Sequence, residues 1–301
     1  MSIQAKNLDP ELTISSGQMF LWEKRRDAWY GIHTDHVLRI SFNNGGHSDK
    51  NNECVTYDSF PYTSGWETLL FRMDDDITRV IRSISRDPIV RSSISRYQGL
   101  RVMRQDPIQC VFSFLCASNT NIQRIRRTLY NLCKKFGKKM TVDGEEFFTF
   151  PSARDLRRAD ISEIISCGTG YRAKFIKLLA ERIDEAEFVP QELVQMSYDD
   201  AKCALLDIYG IGDKTADCIL LFSLEKLDAF PIDTWIARII SSEYNMLYKD
   251  HKIETWENMP KISHQQYRIL SNCMRNYFGK YAGYAQQYLY YNARHVAGRN
   301  W

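Results

Sequence analysis

Two stretches near the start of the chain, Trp29-Tyr-Gly-Ile-His and His36-Val-Leu-Arg-Ile-Ser-Phe42, are dense in aromatic and β-branched residues and read as short strands, with Asn43-Asn-Gly-Gly46 as a turn. After Asp87-Pro-Ile-Val the pattern changes. Apolar residues recur at helical spacing from Pro107 to Ala117, Ile122 to Phe136, Ala173 to Ala186, Ser197 to Ile208, Lys214 to Phe222, Thr234 to Tyr244 and Tyr281 to Val296. That periodicity predicts a bundle of roughly eight to ten helices. With no internal repeat and no low-complexity linker, it gives an α+β chain: a β-rich domain over residues 1–98 and a helical one over 99–301.

Composition adds mostly exclusions. A chain of 301 residues with 44% hydrophobic, 26% charged and 13% aromatic residues can bury one large or two moderate cores. The net charge of +3, from 40 basic and 37 acidic residues, permits an anionic partner without demanding one, so any claim on nucleic acid rests on local clusters. The start lacks the apolar core of a signal peptide, and no apolar run reaches the roughly 18 residues that cross a bilayer, so an intracellular protein with no membrane partner is expected. The eight cysteines form no C-x-x-C pair and sit mostly in apolar runs, which reads as buried free thiols and argues against a zinc or iron–sulfur site.

Candidate chemistry concentrates in Tyr209-Gly-Ile-Gly-Asp-Lys-Thr-Ala-Asp-Cys218. One helix ends before Gly210-Ile-Gly212 and another starts after it, forming a helix-hairpin-helix over residues 201–222. The glycines bring N–H groups to a helix start, where the dipole favours a phosphate. Carbonyls of Leu206, Ile208 and Ile211 can hold a cation beside it. Gly-x-Gly between helices is equally an ordinary tight turn, and it is no dinucleotide fingerprint, because no strand precedes it and the third glycine is missing. Further on, Asp233 opens the helix beginning Thr234-Trp-Ile-Ala within a loop over 226–234. A lysine at a helix start is expected to have a lowered pKa and to be nucleophilic, and a carboxylate opposite it can stabilise a cationic sugar and shuttle protons. Taken singly, Lys214 reads more readily as a solvated lysine and Asp233 as a helix cap.

Hairpin, Gly/Pro-rich loop and aspartate together resemble the HhH-GPD DNA glycosylase superfamily, named for those features. The match to its 8-oxoguanine DNA glycosylase branch runs through Ser15-Ser-Gly-Gln-Met-Phe-Leu-Trp22, the segment Arg104 to Arg124, Gly170-Tyr-Arg-Ala-Lys174, Ile208 to Asp233 and Tyr281-Ala-Gly-Tyr-Ala-Gln286, in the family's order. The resemblance implies a β-rich N-terminal domain like half of a TATA-binding protein, followed by a helical core without an iron–sulfur cluster. It implies a monomeric enzyme acting on duplex DNA that contains 8-oxoguanine, preferably opposite cytosine. No cofactor is required; a monovalent or divalent cation in the hairpin is the one ion it allows. The compartment is the cytoplasm and nucleoid in a prokaryote or the nucleus in a eukaryote.

The same resemblance assigns roles. Lys214 aligns with the nucleophile that attacks C1', expels the base and leaves a Schiff base for β-elimination, and Asp233 with the carboxylate that assists departure. Gly17 aligns with the carbonyl that accepts the N7 hydrogen of 8-oxoguanine, which guanine lacks. Cys218 and Tyr290 fall where the flipped base is sandwiched, Phe222 beside them, and Gln286 where the Watson–Crick edge is read. Asn119 aligns with the residue filling the vacated gap, Tyr171 with a wedge, and Arg172 and Arg124 with donors to the opposite cytosine. Gly210, Gly212 and Trp235 fall on phosphate contacts. The chain departs from the pattern at Tyr209, where a proline is common, at Trp235, where a histidine is common, and at Tyr290, where phenylalanine is usual. Two other readings remain open: a glycosylase for alkylated or other oxidised bases, and a helix-hairpin-helix module that binds DNA without cutting, which needs no Lys214 and Asp233 together.

Overall fold

The computed structural model describes residues 8–43, 54–249 and 262–298. The expected turn at 43–46 falls largely outside them. Two compact units are drawn from alternating segments: one from Met19–Leu70 and Gln105–Pro190, the other from Asn7–Gln18, Phe71–Arg104 and Gln191–Trp301.

The first unit holds a four-stranded antiparallel meander of β1 (Trp22–Arg25), β2 (Ala28–His33), β3 (His36–Asn43) and β4 (Cys54–Phe60), in that order. Both strands read from the sequence are present; β1 and β4 flank them. Val37 and Ile40 are fully buried, and the Trp22 indole lies across Gly31, where a Cβ would come within 2.3 Å of it. A substituent there would displace the indole, so the close approach requires glycine. The helix Pro107–Cys116 is mostly apolar and buried along most of its length, with Asp106 capping it and proline in its first turn. Its Gln109 ties it to the sheet, accepting from Thr34 N–H at 2.6 Å and donating to Ile32 C=O at 2.9 Å.

A second sheet, β5 (Lys139–Val142) and β6 (Glu145–Phe148), stands where only helix was expected. Its two-residue turn, Asp143-Gly144, has φ of 52° and 77°, the doubly positive pair that Asp-Gly favours between strands. The hairpin packs through Tyr30 stacked on Phe147 at 5.0 Å, with Tyr30 Oη donating to Asp143 at 2.7 Å.

In the second unit the helix Asp213–Ser223 is buried at every residue except Lys214. The helix Ala282–Val296 lies against it: a Cβ on Gly283 would meet Leu221 at 2.1 Å, and Gly283 N–H donates to Leu227 C=O at 2.8 Å. Burying side chains such as Ile219, Leu220 and Leu221, each fully enclosed, contributes on the order of 1.5–3 kcal/mol apiece. All seven helices read from periodicity are present within two residues of the expected ends. The helix His264–Phe278, with a capping box from Ser263 and Gln266, was not among them. Among the described residues no helix is long and apolar enough to cross a membrane. Of the cysteines, Cys110, Cys116, Cys133, Cys167 and Cys218 are buried as expected, whereas Cys203 is exposed, on the outward side of its helix.

Candidate active site

The hairpin joins the helices Tyr198–Leu206 and Asp213–Ser223. Gly210 has a φ of 96°, the left-handed conformation that lets the chain reverse there. Gly212 is the N-cap of the second helix, makes no side-chain cap and has open space where a Cβ would stand. An anion can therefore approach the first-turn N–H groups.

Lys214 follows in the first turn and is half-buried. Burial pushes its ammonium down, but Cys218, Asp233 and Tyr290 around it, together with a hydrogen bond to Cys218, outweigh that and hold its pKa above the ordinary lysine value. The expectation of a lowered pKa is thus corrected: the neighbouring side chains outweigh burial and raise it. Cys218 lies one helical turn on, 4% exposed, its thiol pushed up by burial to about 11. Phe222, a further turn along the helix, is also buried.

Asp233 caps the helix Thr234–Glu243, its Oδ1 accepting from Trp235 N–H at 3.0 Å and Ile236 N–H at 2.9 Å. The cap uses Oδ1 and leaves Oδ2 outside it. Burial raises the carboxyl's pKa, opposed by the two N–H donors and by Lys214. The peptide segment before Asp233 is held on both sides: Pro231 C=O accepts from Gln286 Nε2 at 3.1 Å, and Ile232 N–H donates to Tyr267 Oη at 3.2 Å. Tyr267 in turn donates to Asp217 at 2.7 Å, and Asp217, fully buried, also takes Tyr198 Oη at 2.6 Å and Lys202 Nζ at 3.0 Å.

None of Asp217, Lys202 or Tyr267 was singled out in the sequence. A carboxylate inside the apolar run 215–223 was the available signal, since a buried charge requires partners. Tyr267→Phe strands the Ile232 N–H and removes one donor from Asp217. The unfolding free energy in urea is therefore expected to fall by about 1–3 kcal/mol; an unchanged midpoint would show the network to be dispensable.

Tyr290, half-buried, accepts from Arg294 at 2.9 Å, and burial raises its phenol's pKa. Gln286 is buried, and among the described residues its Oε1 has no hydrogen-bond donor. A buried acceptor of this kind can take a donor from a water or a ligand. Gly17 has a φ of 89° and lies between the buried residues Ser16 and Gln18, with Ser16 C=O accepting from Gln287 Nε2 at 3.0 Å. Gly17, Lys214, Cys218, Phe222, Asp233, Gln286 and Tyr290 thus all belong to the second unit. Trp235 is half-buried, with Arg238 5.5 Å from its ring.

The first unit assembles the other predicted contacts. Asn119 is exposed at a φ of 50°, a left-handed position that asparagine tolerates, and its Nδ2 lies 3.4 Å from Tyr171 Oη. Tyr171 is 57% exposed and stacks against the Arg172 guanidinium at 4.7 Å. Arg172 itself is buried, donating to the carbonyls of Ser118 at 2.9 Å, Thr169 at 3.3 Å and Asn119 at 3.3 Å. In this structure it braces the turn that presents Asn119. Arg124 projects exposed from the first turn of the helix Ile122–Phe136, whose N-cap is Asn121.

Residues 1–111 match the family model of the 8-oxoguanine DNA glycosylase N-terminal domain, and residues 112–263 that of the HhH-GPD superfamily base excision DNA repair proteins. The chain belongs to the 8-oxoguanine glycosylase branch of the HhH-GPD superfamily. It is 30% identical to the N-glycosylase/DNA lyase OGG1 of Arabidopsis thaliana over 287 residues, 93% of this chain and 75% of that one. It is 33% identical to a probable N-glycosylase/DNA lyase of Methanothermobacter thermautotrophicus over 65% of this chain, a match that spans 64% of the relative's length. The Clostridium acetobutylicum 8-oxoguanine glycosylase/lyase, solved with duplex DNA containing cytosine opposite 8-oxoguanine, superposes with a TM-score of 0.80 at 25% identity, covering 99% of this chain and 98% of that one. The antiparallel sheet followed by a helical core is therefore the glycosylase architecture that the sequence motifs implied.

Proposed function

We propose that the protein is a bifunctional DNA glycosylase and AP lyase that excises 8-oxoguanine, preferably opposite cytosine, from duplex DNA. The observation that carries the proposal is the lysine at the mouth of the hairpin, with Cys218, Asp233 and Tyr290 as the ionisable groups acting on it. A DNA-binding hairpin alone has no use for that arrangement.

The steps follow from the residues. The first-turn N–H groups after Gly212 receive a phosphate, with Gly210 shaping the turn and Trp235 contributing a neighbouring contact. Carbonyls of Leu206, Ile208 and Ile211 would hold a monovalent or divalent cation there. Ile208 C=O already accepts from Ile211 N–H at 3.0 Å, and a carbonyl's second lone pair leaves room for an ion. The everted base enters between Cys218 and Tyr290 beside Phe222, and Gln286 Oε1 accepts from its Watson–Crick edge while Gly17 C=O accepts from N7–H. Lys214 holds its proton in the free protein, so attack requires an acceptor, and the carboxylate of Asp233, whose charge acts on Lys214, serves as one. The amine bonds to C1', the glycosidic bond breaks and the base leaves with the bond's electron pair, taking up the proton that Asp233 received from Lys214. Opening of the sugar gives the Schiff base, and loss of the C2' proton then expels the 3' phosphate.

Asn119 fills the gap left by the everted base and Tyr171 wedges the stack. Arg124 and Arg172 donate to cytosine N3 and O2, Arg172 by exchanging its Ser118 and Asn119 carbonyls for the base. Arg124→Ala is expected to lose roughly 1–3 kcal/mol of preference for cytosine over the other opposite bases, read from single-turnover excision on the four duplexes; an unaltered ranking would remove Arg124 from this role. The whole proposal is tested by incubating the protein with those duplexes and borohydride. A covalent protein–DNA adduct that is strongest opposite cytosine is expected, and failure to trap or nick any of them sinks the reading.

A further inference from the structure

We infer that Gln287 is a positioning residue for lesion discrimination: by holding the Ser16–Gly17 peptide it fixes the direction of the Gly17 carbonyl. The inference rests on the reading that Gly17 senses 8-oxoguanine. Gln287 is 2% exposed, and its Nε2 donates to Ser16 C=O at 3.0 Å from 271 positions away in sequence. That carbonyl belongs to the same planar peptide as the Gly17 N–H, so the bond sets the plane by which the chain enters Gly17.

On the far side Gln18, fully buried, donates to Ser16 Oγ at 2.8 Å and to Arg101 C=O at 2.7 Å, and accepts from Met103 N–H at 2.7 Å. Ser16 Oγ itself donates to Thr13 C=O at 2.7 Å. Gly17, at a φ of 89°, has no side chain to hold it, and glycine's broad conformational freedom must be removed by its neighbours. The two glutamine amides remove it.

Gln287 follows Gln286 on one helix, where successive side chains diverge by about 100°. Gln286 reaches Pro231 C=O and Gln287 reaches Ser16 C=O, so one rigid element sets both the reader of the base edge and the carbonyl that senses N7. Discrimination is sensitive to that setting because a hydrogen bond weakens steeply once its angle falls toward 120°. A rotated Gly17 peptide loses attraction for the N7–H of the lesion and loses repulsion for the bare N7 of guanine, so the ratio between them falls from both ends.

The test uses the full chain with Gln287→Met, which keeps length and apolar volume but removes the donor. Binding and single-turnover excision are measured on duplexes with 8-oxoguanine or guanine opposite cytosine, alongside nicking of an abasic duplex. The expected result is a fall of about five- to tenfold in the ratio of 8-oxoguanine to guanine, carried mainly by KM, with abasic nicking affected far less. An unchanged ratio, or equal losses on lesion and abasic DNA, overturns the inference and leaves Gln287 a packing residue. Gln287→Glu provides a second arm should the methionine variant fail to fold. Its carboxylate cannot donate to a carbonyl, but its protonated form can, so discrimination should return as pH is lowered; a flat profile counts against the role. A wild-type protein that fails to prefer 8-oxoguanine over guanine would instead sink the reading of Gly17 itself.

Discussion

Lys214→Gln abolishes borohydride trapping and lowers strand nicking by at least about 10³-fold, while binding to lesion DNA persists. Glutamine is one atom shorter than lysine but close to it in helix propensity, so the helix Asp213–Ser223 keeps its start. What is lost is the amine. No other group in the described site combines a nucleophilic nitrogen with coupling to Asp233: Gln286 and Gln287 are amides, and Lys202 is tied to Asp217 at 3.0 Å. Gel-shift binding and trapping on one duplex separate the two effects. An adduct that survives in Lys214→Gln would assign the chemistry to another amine.

Asp233→Asn slows base excision by about 10²–10⁴-fold with little change in DNA binding. Asparagine retains an Oδ1 able to accept from the N–H groups of Trp235 and Ile236, so the cap and the loop geometry stay in place. Removing the charge has a second consequence that can be read against pH. Asp233 helps to raise the Lys214 pKa, so without it the ammonium releases its proton at lower pH. Trapping on an abasic duplex, which needs the neutral amine but no base departure, is therefore expected to begin at lower pH in the variant than in the wild type. An unshifted or alkaline-shifted limb would show that Asp233 does not act on Lys214.

The helices were legible because each carries its own signal. In Pro107–Cys116 and Ile122–Phe136 an N-cap residue precedes a run whose apolar spacing repeats every turn, and both boundaries lie within the sequence of the element itself. The β5–β6 hairpin was missed although Asp143-Gly144 marks it, because its strands are four residues long and alternate weakly. His264–Phe278 was missed because its apolar positions are diluted by Gln265, Gln266, Arg268, Asn272 and Arg275.

The site divides in the same manner. Gly210, Gly212, Lys214 and Cys218 lie within nine residues of chain, where the rigid spacing of a turn and a helix fixes their relation, and Asp233 announces itself as a cap. Sequence therefore determined the helical core, the hairpin, the candidate nucleophile and its carboxylate. It could not give the direction of the Lys214 pKa, which is a balance between burial and three neighbours, two of them from distant segments. Nor could it show that Arg172 spends its donors on the Ser118, Asn119 and Thr169 carbonyls, or that Asp217, Tyr267 and Gln286 hold the segment before Asp233. Tertiary structure decided these because hydrogen bonding and electrostatics act over a few ångströms of space, and residues as far apart in sequence as Ser16 and Gln287 become neighbours only when the chain has folded.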